Sequence, residues 1–356
     1  MRLNSLTSLR FIAAFGVFLH HFHMLNDSKN HIINWFSSIL FEGFVGVTFF
    51  YVLSGFIISY SHKQHCKARE FKVSDFLYNR IARLYPVHII TLFIAIYFYI
   101  PSYNYGLIHL DQFAYNLFLV QSLIPDPQYF FSFNGVSWSV SAEMFFYVAF
   151  IFLVTLNNKQ LIIFFGMMLA LIVYHMIAIP DTAKYVGWTY YINPAFRVID
   201  FMAGMLLFRL YDTGKLIVRD KFATAMEFGS LIILTAAMAY GMKNVGMKYR
   251  YDLFYLIPMM FIVYIFSYGK GVISRVISYR PVVFLGEASF SLYMIHQICI
   301  YVASNNYKYN LDSMASTFFF MAFTMGITIG ISCILYHFYE KPINDSLRKL
   351  RYRNRK

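Results

Sequence analysis

Long apolar runs separated by short polar stretches dominate the chain, and ten of them approach the roughly 20 residues a helix needs to cross a bilayer. They cover 8–25, 42–61, 82–101, 138–156, 160–179, 194–211, 223–242, 252–268, 284–303 and 314–338. A shorter amphipathic stretch, 111–124, carries Asp111, Gln112, Asn116 and Gln121, and reads as re-entrant or interfacial rather than as a further span. The pattern predicts an all-α integral membrane protein of about ten transmembrane helices. It forms one transmembrane domain, 1–340, with a basic cytoplasmic tail, 341–356. The first run holds His20, His21 and His23 with no small-residue cleavage site after it, so it reads as a retained helix rather than a cleavable signal. No stretch is long enough for an appended soluble domain.

Composition agrees with the runs. Of 356 residues, 59% are hydrophobic and 13% charged, against about 45–50% and about 25% in soluble domains. The net charge of +13 raises nucleic acid as a partner, but its placement favours membrane lipid. With the N-terminus inside, 23 of the 30 Lys and Arg residues fall in cytoplasmic segments, which orients both termini to the cytoplasm. The end of the tail, Arg348–Lys356, is expected to rest on anionic lipid. Cys66 falls in a basic loop, Cys299 and Cys333 in apolar runs. Their wide spacing offers neither a disulfide framework nor a zinc site, and no metal is expected.

Ionisable groups inside a membrane are costly and mark candidate sites. Arg10 and His21 are eleven residues apart, which closes three helical turns to within about 20°. They share a face about 16 Å apart, while His20 and His23 are expected to point elsewhere. His21 lies about 21 Å from the inner edge and Glu143 about 7 Å below the outer one, so the two reach similar depth. A carboxylate there would orient the imidazole as a general base requires, or Glu143 would merely offset a helix dipole. Ser289, Tyr293 and His296 form one stripe of a later helix, serving either packing or substrate contact. Glu287 falls on the opposite face. Arg80 and Arg83, at i and i+3, can fork onto phosphate oxygens, and with Arg10 they would make an anion-binding entrance. Arg197 and Asp200 read as a structural ion pair, and Gly43, Gly46, Ser54 and Gly55 as close helix packing.

Taken in order, these segments resemble the membrane-bound acyltransferase-3 family. The likeness rests on Leu9-Arg10 through His20-His21, and Gly46-Val47-Thr48-Phe49-Phe50 through Ser54-Gly55-Phe56. It continues with Arg80-x-x-Arg83, Trp138-Ser139-Val140-Ser141-Ala142-Glu143, Phe284-Leu285-Gly286 through His296, and Tyr339-Glu340-Lys341-Pro342. Thr48 stands where the family often has an acidic residue, and Asp200 where glutamate is commoner.

The resemblance implies a ten-helix enzyme that passes an acyl group, acetyl by preference, from cytoplasmic acyl-CoA to an extracytoplasmic hydroxyl. The acceptor would be a glycan or lipid-linked glycan, reached directly or through a separate extracytoplasmic acyl-transfer partner. No permanently bound cofactor is implied. On this reading Arg10, Arg80 and Arg83 hold the coenzyme A phosphates. His21 is the base or the acyl carrier with Glu143 as its partner, and Trp138, Ser139 and Ser141 shape the acceptor pocket. Ser289, Tyr293 and His296 support it. The alternatives are a glycan or lipid exporter without acyl-transfer chemistry, and a receptor or scaffold.

Overall fold

The computed structural model describes residues 3–66, 71–99 and 109–353, and no strand occurs among them. Arg2, the charged stretch 67–70, the start of the long connection at 100–108 and the final residues 354–356 lie outside the described residues. The helices are α1 (Asn4–His20), α2 (His31–Phe41), α3 (Gly46–Cys66), α4 (Val73–Tyr99), α5 (Leu110–Leu117), α6 (Pro127–Phe130), α7 (Trp138–Leu153), α8 (Asn158–Ala178) and α9 (Pro194–Thr213). They continue as α10 (Asp220–Asn244), α11 (Met247–Arg250), α12 (Leu256–Ser267), α13 (Val272–Ile277), α14 (Arg280–Glu287), α15 (Ser289–Asn306), α16 (Met314–Leu335) and α17 (Lys341–Arg353).

All ten apolar runs are largely helical, but they are not ten equal rods. Among the described residues seven helical stretches are long and apolar enough to cross a membrane, or eight if one bent pair counts as a span. α1, with 17 residues, reaches about 26 Å at 1.5 Å per residue. The apolar stretch Leu253–Ser267 is also short. Burial separates inner helices from rim helices. The apolar windows of Asn158–Ala178 and Asp220–Asn244 are only 17% buried, against 78% for Trp188–Thr213, so α8 and α10 turn most of their apolar surface to lipid.

Two expected spans change form. The first run was expected to stay helical to residue 25, yet α1 stops at His20 and a 3₁₀ turn covers His23–Asp27. The cause is local: the His21 ring takes the Val17 carbonyl at 2.8 Å, leaving the His21 backbone N–H to bond Phe18 at 3.2 Å instead. A side chain competing for an i−4 carbonyl ends the ladder. The run 284–303 is likewise not one rod, because α14 and α15 meet at 64°. α14 packs on the start of α1, where a Cβ on Gly286 would lie 2.0 Å from the Thr7 carbonyl oxygen. α15 then turns away to run beside the other half of α1.

Close backbone contact fixes α3 at the centre. A Cβ on Gly55 would meet the Phe201 carbonyl at 1.9 Å, and one on Gly204 the Val52 carbonyl at 1.9 Å, so α3 and α9 touch backbone to backbone. Gly43 and Gly46 allow the same approach to α1. Ser54 does not belong to that packing set, because its hydroxyl is turned onto Glu143 at 2.9 Å. Arg197 and Asp200 form a fully buried pair at 2.6 Å, and Thr48 accepts from the same guanidinium at 2.8 Å. A second buried pair, Arg250 with Glu42, was not anticipated.

The stretch 111–124 does not span. After α5 it turns back as a short 3₁₀ segment, and Gln121 donates to Asn116 at 3.2 Å and to Ser137 at 3.0 Å. The tail is helical as far as Arg353 and docks on α4. Tyr78 donates to the Leu347 carbonyl at 2.9 Å, and Arg351 lies 3.2 Å from Asp75.

Candidate active site

α1 passes between two cavities. The first, about 140 Å³, is walled by α1, α3, α4, α7 and α15. Arg10, Arg80 and Arg83 line it together with Glu143, Tyr147, Ser139, Ser289 and Tyr293. Arg80 and Arg83 reach it from one face of α4, as their i, i+3 spacing requires. Arg80 stands 5.5 Å over the Phe76 ring and 5.8 Å over that of Tyr147. Among the described residues none of the three guanidiniums has a hydrogen-bond acceptor or an ion-pair partner. One oxygen of Glu143, Oε1, accepts from both Tyr147 at 2.6 Å and Ser54 at 2.9 Å. Buried Glu340, which accepts from Ser291 at 2.6 Å, also acts on Arg10 and Arg83 from beyond ion-pair distance, so three cations stand against two carboxylates, and inside an apolar body an anion would satisfy the remaining positive charge.

The second cavity, about 320 Å³, is lined by His20, His21, His23, Phe131, Phe133, Gly135, Val136, Trp138, Tyr191 and Gln297, with Val17. Val47 and Tyr293 line both cavities, so the two are neighbours divided by little more than these side chains. The Tyr293 hydroxyl is 2.7 Å from Ser139, which itself donates to the Val136 carbonyl at 3.0 Å. Three of the imidazoles are held by main-chain carbonyls at Nδ1: His20 by Phe41 at 2.6 Å, His21 by Val17 at 2.8 Å and His296 by Tyr293 at 2.6 Å. His296 Nε2 is 3.2 Å from His21 Nδ1. Among the described residues no group of three or more His, Cys, Asp or Glu side chains is arranged to hold a metal ion.

Several expectations are corrected here. Glu143 is not the partner of His21: it belongs to the arginine cavity, because α7 presents it to Ser54 of α3. The ring beside His21 is His296. His20 and His23 do not point away, because the helix ends at His20 and the chain coils back. Their rings lie 4.8 Å apart, and 5.2 and 5.6 Å from that of His21. Ser141 lines neither cavity and instead bonds Ser122 at 2.7 Å. Trp138 does line the histidine chamber, Ser139 and Ser289 the arginine cavity, and Tyr293 both. Glu287 accepts from Tyr336 at 2.9 Å, away from either. Sequence reasoning missed Ser54 and Tyr147, although Tyr147 stands one turn after Glu143. It also missed Gln297, the polar neighbour of His296.

The acyltransferase-3 family model, described as an acyltransferase domain, matches residues 3–337. The chain is 34% identical over 155 residues to the acyltransferase MdmB of Streptomyces mycarofaciens, a match covering 42% of this chain and 38% of that protein. It is 26% identical over 378 residues to a Staphylococcus aureus protein named "Putative O-acetyltransferase", covering 98% of this chain and 58% of the relative. It is 24% identical over 305 residues to the exopolysaccharide production protein ExoZ of Rhizobium meliloti, covering 85% and 89%. The chain thus matches less than two thirds of the length of the first two relatives. No solved structure matches it. Together the apolar helices and the family match make it a multi-pass membrane protein.

Proposed function

Because the chain belongs to the acyltransferase-3 family, we propose that it is an enzyme transferring an acyl group, acetyl first among candidates, from acyl-CoA to a hydroxyl of an extracytoplasmic glycan. The acceptor is a surface polysaccharide or its lipid-linked precursor. The membrane is crossed ten times, with both termini cytoplasmic. Support for that topology is the bias of Lys and Arg toward alternate connections.

The observation that carries the reading is the pairing of an arginine cavity with a histidine chamber across Val47 and Tyr293. Arg10, Arg80 and Arg83 hold phosphate oxygens of the donor. The acyl-bearing arm lies along α1 toward His21, a distance of about 16 Å. Trp138 and Tyr191 flank the acceptor. In the direct route His21 takes the proton of the acceptor hydroxyl as the oxygen bonds the acyl carbon. The carbon–sulfur bond breaks, and the thiolate takes that proton from His21. In the alternative route the acyl group rests on His21 before the hydroxyl attacks. An extracytoplasmic partner protein is not needed for either chemistry. Incubation with radiolabelled acyl-CoA and no acceptor separates the routes: label on His21 supports the carrier, and its absence the direct transfer.

A His21→Ala variant in cells tests the function itself. Glycan acylation is expected to vanish while glycan export continues. Loss of export together with unchanged acylation of the remaining glycan would instead identify an exporter.

A further inference from the structure

Resting on the reading of His21 as the reacting imidazole, we propose that His296 is a positioning residue that, as a second acceptor beside the Val17 carbonyl, holds His21 in its Nδ1–H tautomer and leaves Nε2 as its reacting nitrogen. A carbonyl oxygen can only accept. His21 Nδ1 lies 2.8 Å from the Val17 carbonyl, and His296 Nδ1 lies 2.6 Å from that of Tyr293. Both nitrogens therefore carry hydrogen, and each neutral ring presents a lone pair at Nε2. The lone pair of His296 Nε2 faces His21 Nδ1 at 3.2 Å, so the His21 Nδ1–H is shared between Val17 and His296. The ring of His296 is itself immobilised: it is fully buried, with Phe18 edge-on at 5.9 Å and Tyr293 at 5.6 Å.

His296 thus occupies the place a carboxylate fills beside a catalytic histidine elsewhere, without charge. A buried carboxylate would bring a full charge into this apolar body, whereas a neutral imidazole needs only hydrogen-bond partners, and His296 has the Tyr293 carbonyl at Nδ1. When His21 Nε2 takes the hydroxyl proton, the positive charge that forms is met at Nδ1 by two acceptors already in place. In the carrier route the same Nε2 bonds the acyl carbon as the carbon–sulfur bond breaks and the thiolate leaves. His20 is held at Nδ1 too, by Phe41 at 2.6 Å, but among the described residues it has no second acceptor.

Purified enzyme carrying His296→Gln, His296→Asn or His296→Leu tests this against His21→Ala. Gln sets its amide where Nε2 stands and restores an acceptor, whereas the shorter Asn does not reach and Leu offers none. Leu and Asn are expected to lower kcat about 10²-fold or more with the donor KM unmoved, and Gln to recover at least tenfold of that loss. Equal loss in Gln and Asn, or a Leu variant with full kcat, overturns the proposal. ¹⁵N-histidine NMR of the unaltered enzyme is a second arm independent of variant folding: Nδ1-protonated His21 is expected, and the Nε2-protonated form overturns the assignment. An active His21→Ala variant would sink the reading of His21 instead, whatever His296 does.

Discussion

The arginine cavity and the histidine chamber share two wall residues, Val47 and Tyr293, yet they are built on opposite terms. In the first, charged groups stand on the regular faces of α1, α4 and α7, and among the described residues the cations have no hydrogen-bond acceptor and no close ion pair. In the second, histidine rings gather where α1 ends, and two of them, His20 and His21, are bound to main-chain carbonyls. Excess fixed charge is suited to holding an anion against water. Neutral, oriented bases are suited to taking a proton from a weakly acidic hydroxyl. Under the proposed function, binding falls on one side of Tyr293 and chemistry on the other, and substitutions on each side should therefore move different kinetic constants.

The largest effect belongs to the chamber. His21→Ala is expected to lower kcat by about 10²–10⁴-fold, the range of a general base, with the donor KM little changed. His20→Ala should cost less than a tenth of that loss. Acyl transfer in membrane vesicles measures both. A His20 variant as damaged as the His21 variant would break the distinction drawn between the two rings.

Next come the arginines. Arg10→Gln or Arg83→Gln removes a charge-assisted hydrogen bond of about 1.5–3 kcal/mol, a rise of about 10–150-fold in donor KM, with kcat held at saturation. Donor truncated to the pantetheine thioester, lacking the nucleotide phosphates, should no longer distinguish these variants from the unaltered enzyme. A fall in kcat with unchanged KM would place the arginines on the chemical side of Tyr293.

How much of this was readable beforehand follows from which geometry each feature depends on. The apolar runs and the i, i+3 pair Arg80–Arg83 depend on helical periodicity, and they could be read. The alignment of Arg10 with His21 presumes one helix through both, whereas α1 ends at His20 because one side chain captures one carbonyl, and the two residues line different cavities. The break before α15 has no proline or glycine at its vertex. It arises where Gly286 meets Thr7, a contact between segments nearly the whole chain apart. Depth estimates failed for Glu143 in an instructive way. Matching depth fixes one coordinate of three, and His296 matched His21 about as well.

A smaller effect tests the chamber's support. A Cβ on Gly43 would fall 2.0 Å from the Gly16 carbonyl and 3.1 Å from the His20 side chain, whereas one on Gly16 would meet only ordinary contacts at 4.0 Å. Gly43→Ala should therefore destabilise by about 1–3 kcal/mol, as overpacking does, and lower kcat severalfold by displacing the end of α1. Gly16→Ala should do neither. Thermal unfolding in detergent beside the transfer assay reads both, and equal behaviour of the two variants would show that α1 is not seated on Gly43.

The smallest change separates the two regions most directly. Glu143→Gln preserves the shape of the side chain and keeps an oxygen to accept from Ser54 and Tyr147, but it removes the carboxylate that lines the cavity with the three arginines. Were Glu143 the orienting partner of His21, the amide would cost catalysis on the scale seen when a triad carboxylate is lost, about 10⁴-fold. Its placement in the binding cavity calls for something different: a donor KM lowered by less than tenfold, because one repulsive charge is gone, and a kcat within threefold of the original. A collapse of kcat in this variant would return Glu143 to the chemistry and dissolve the division at Tyr293.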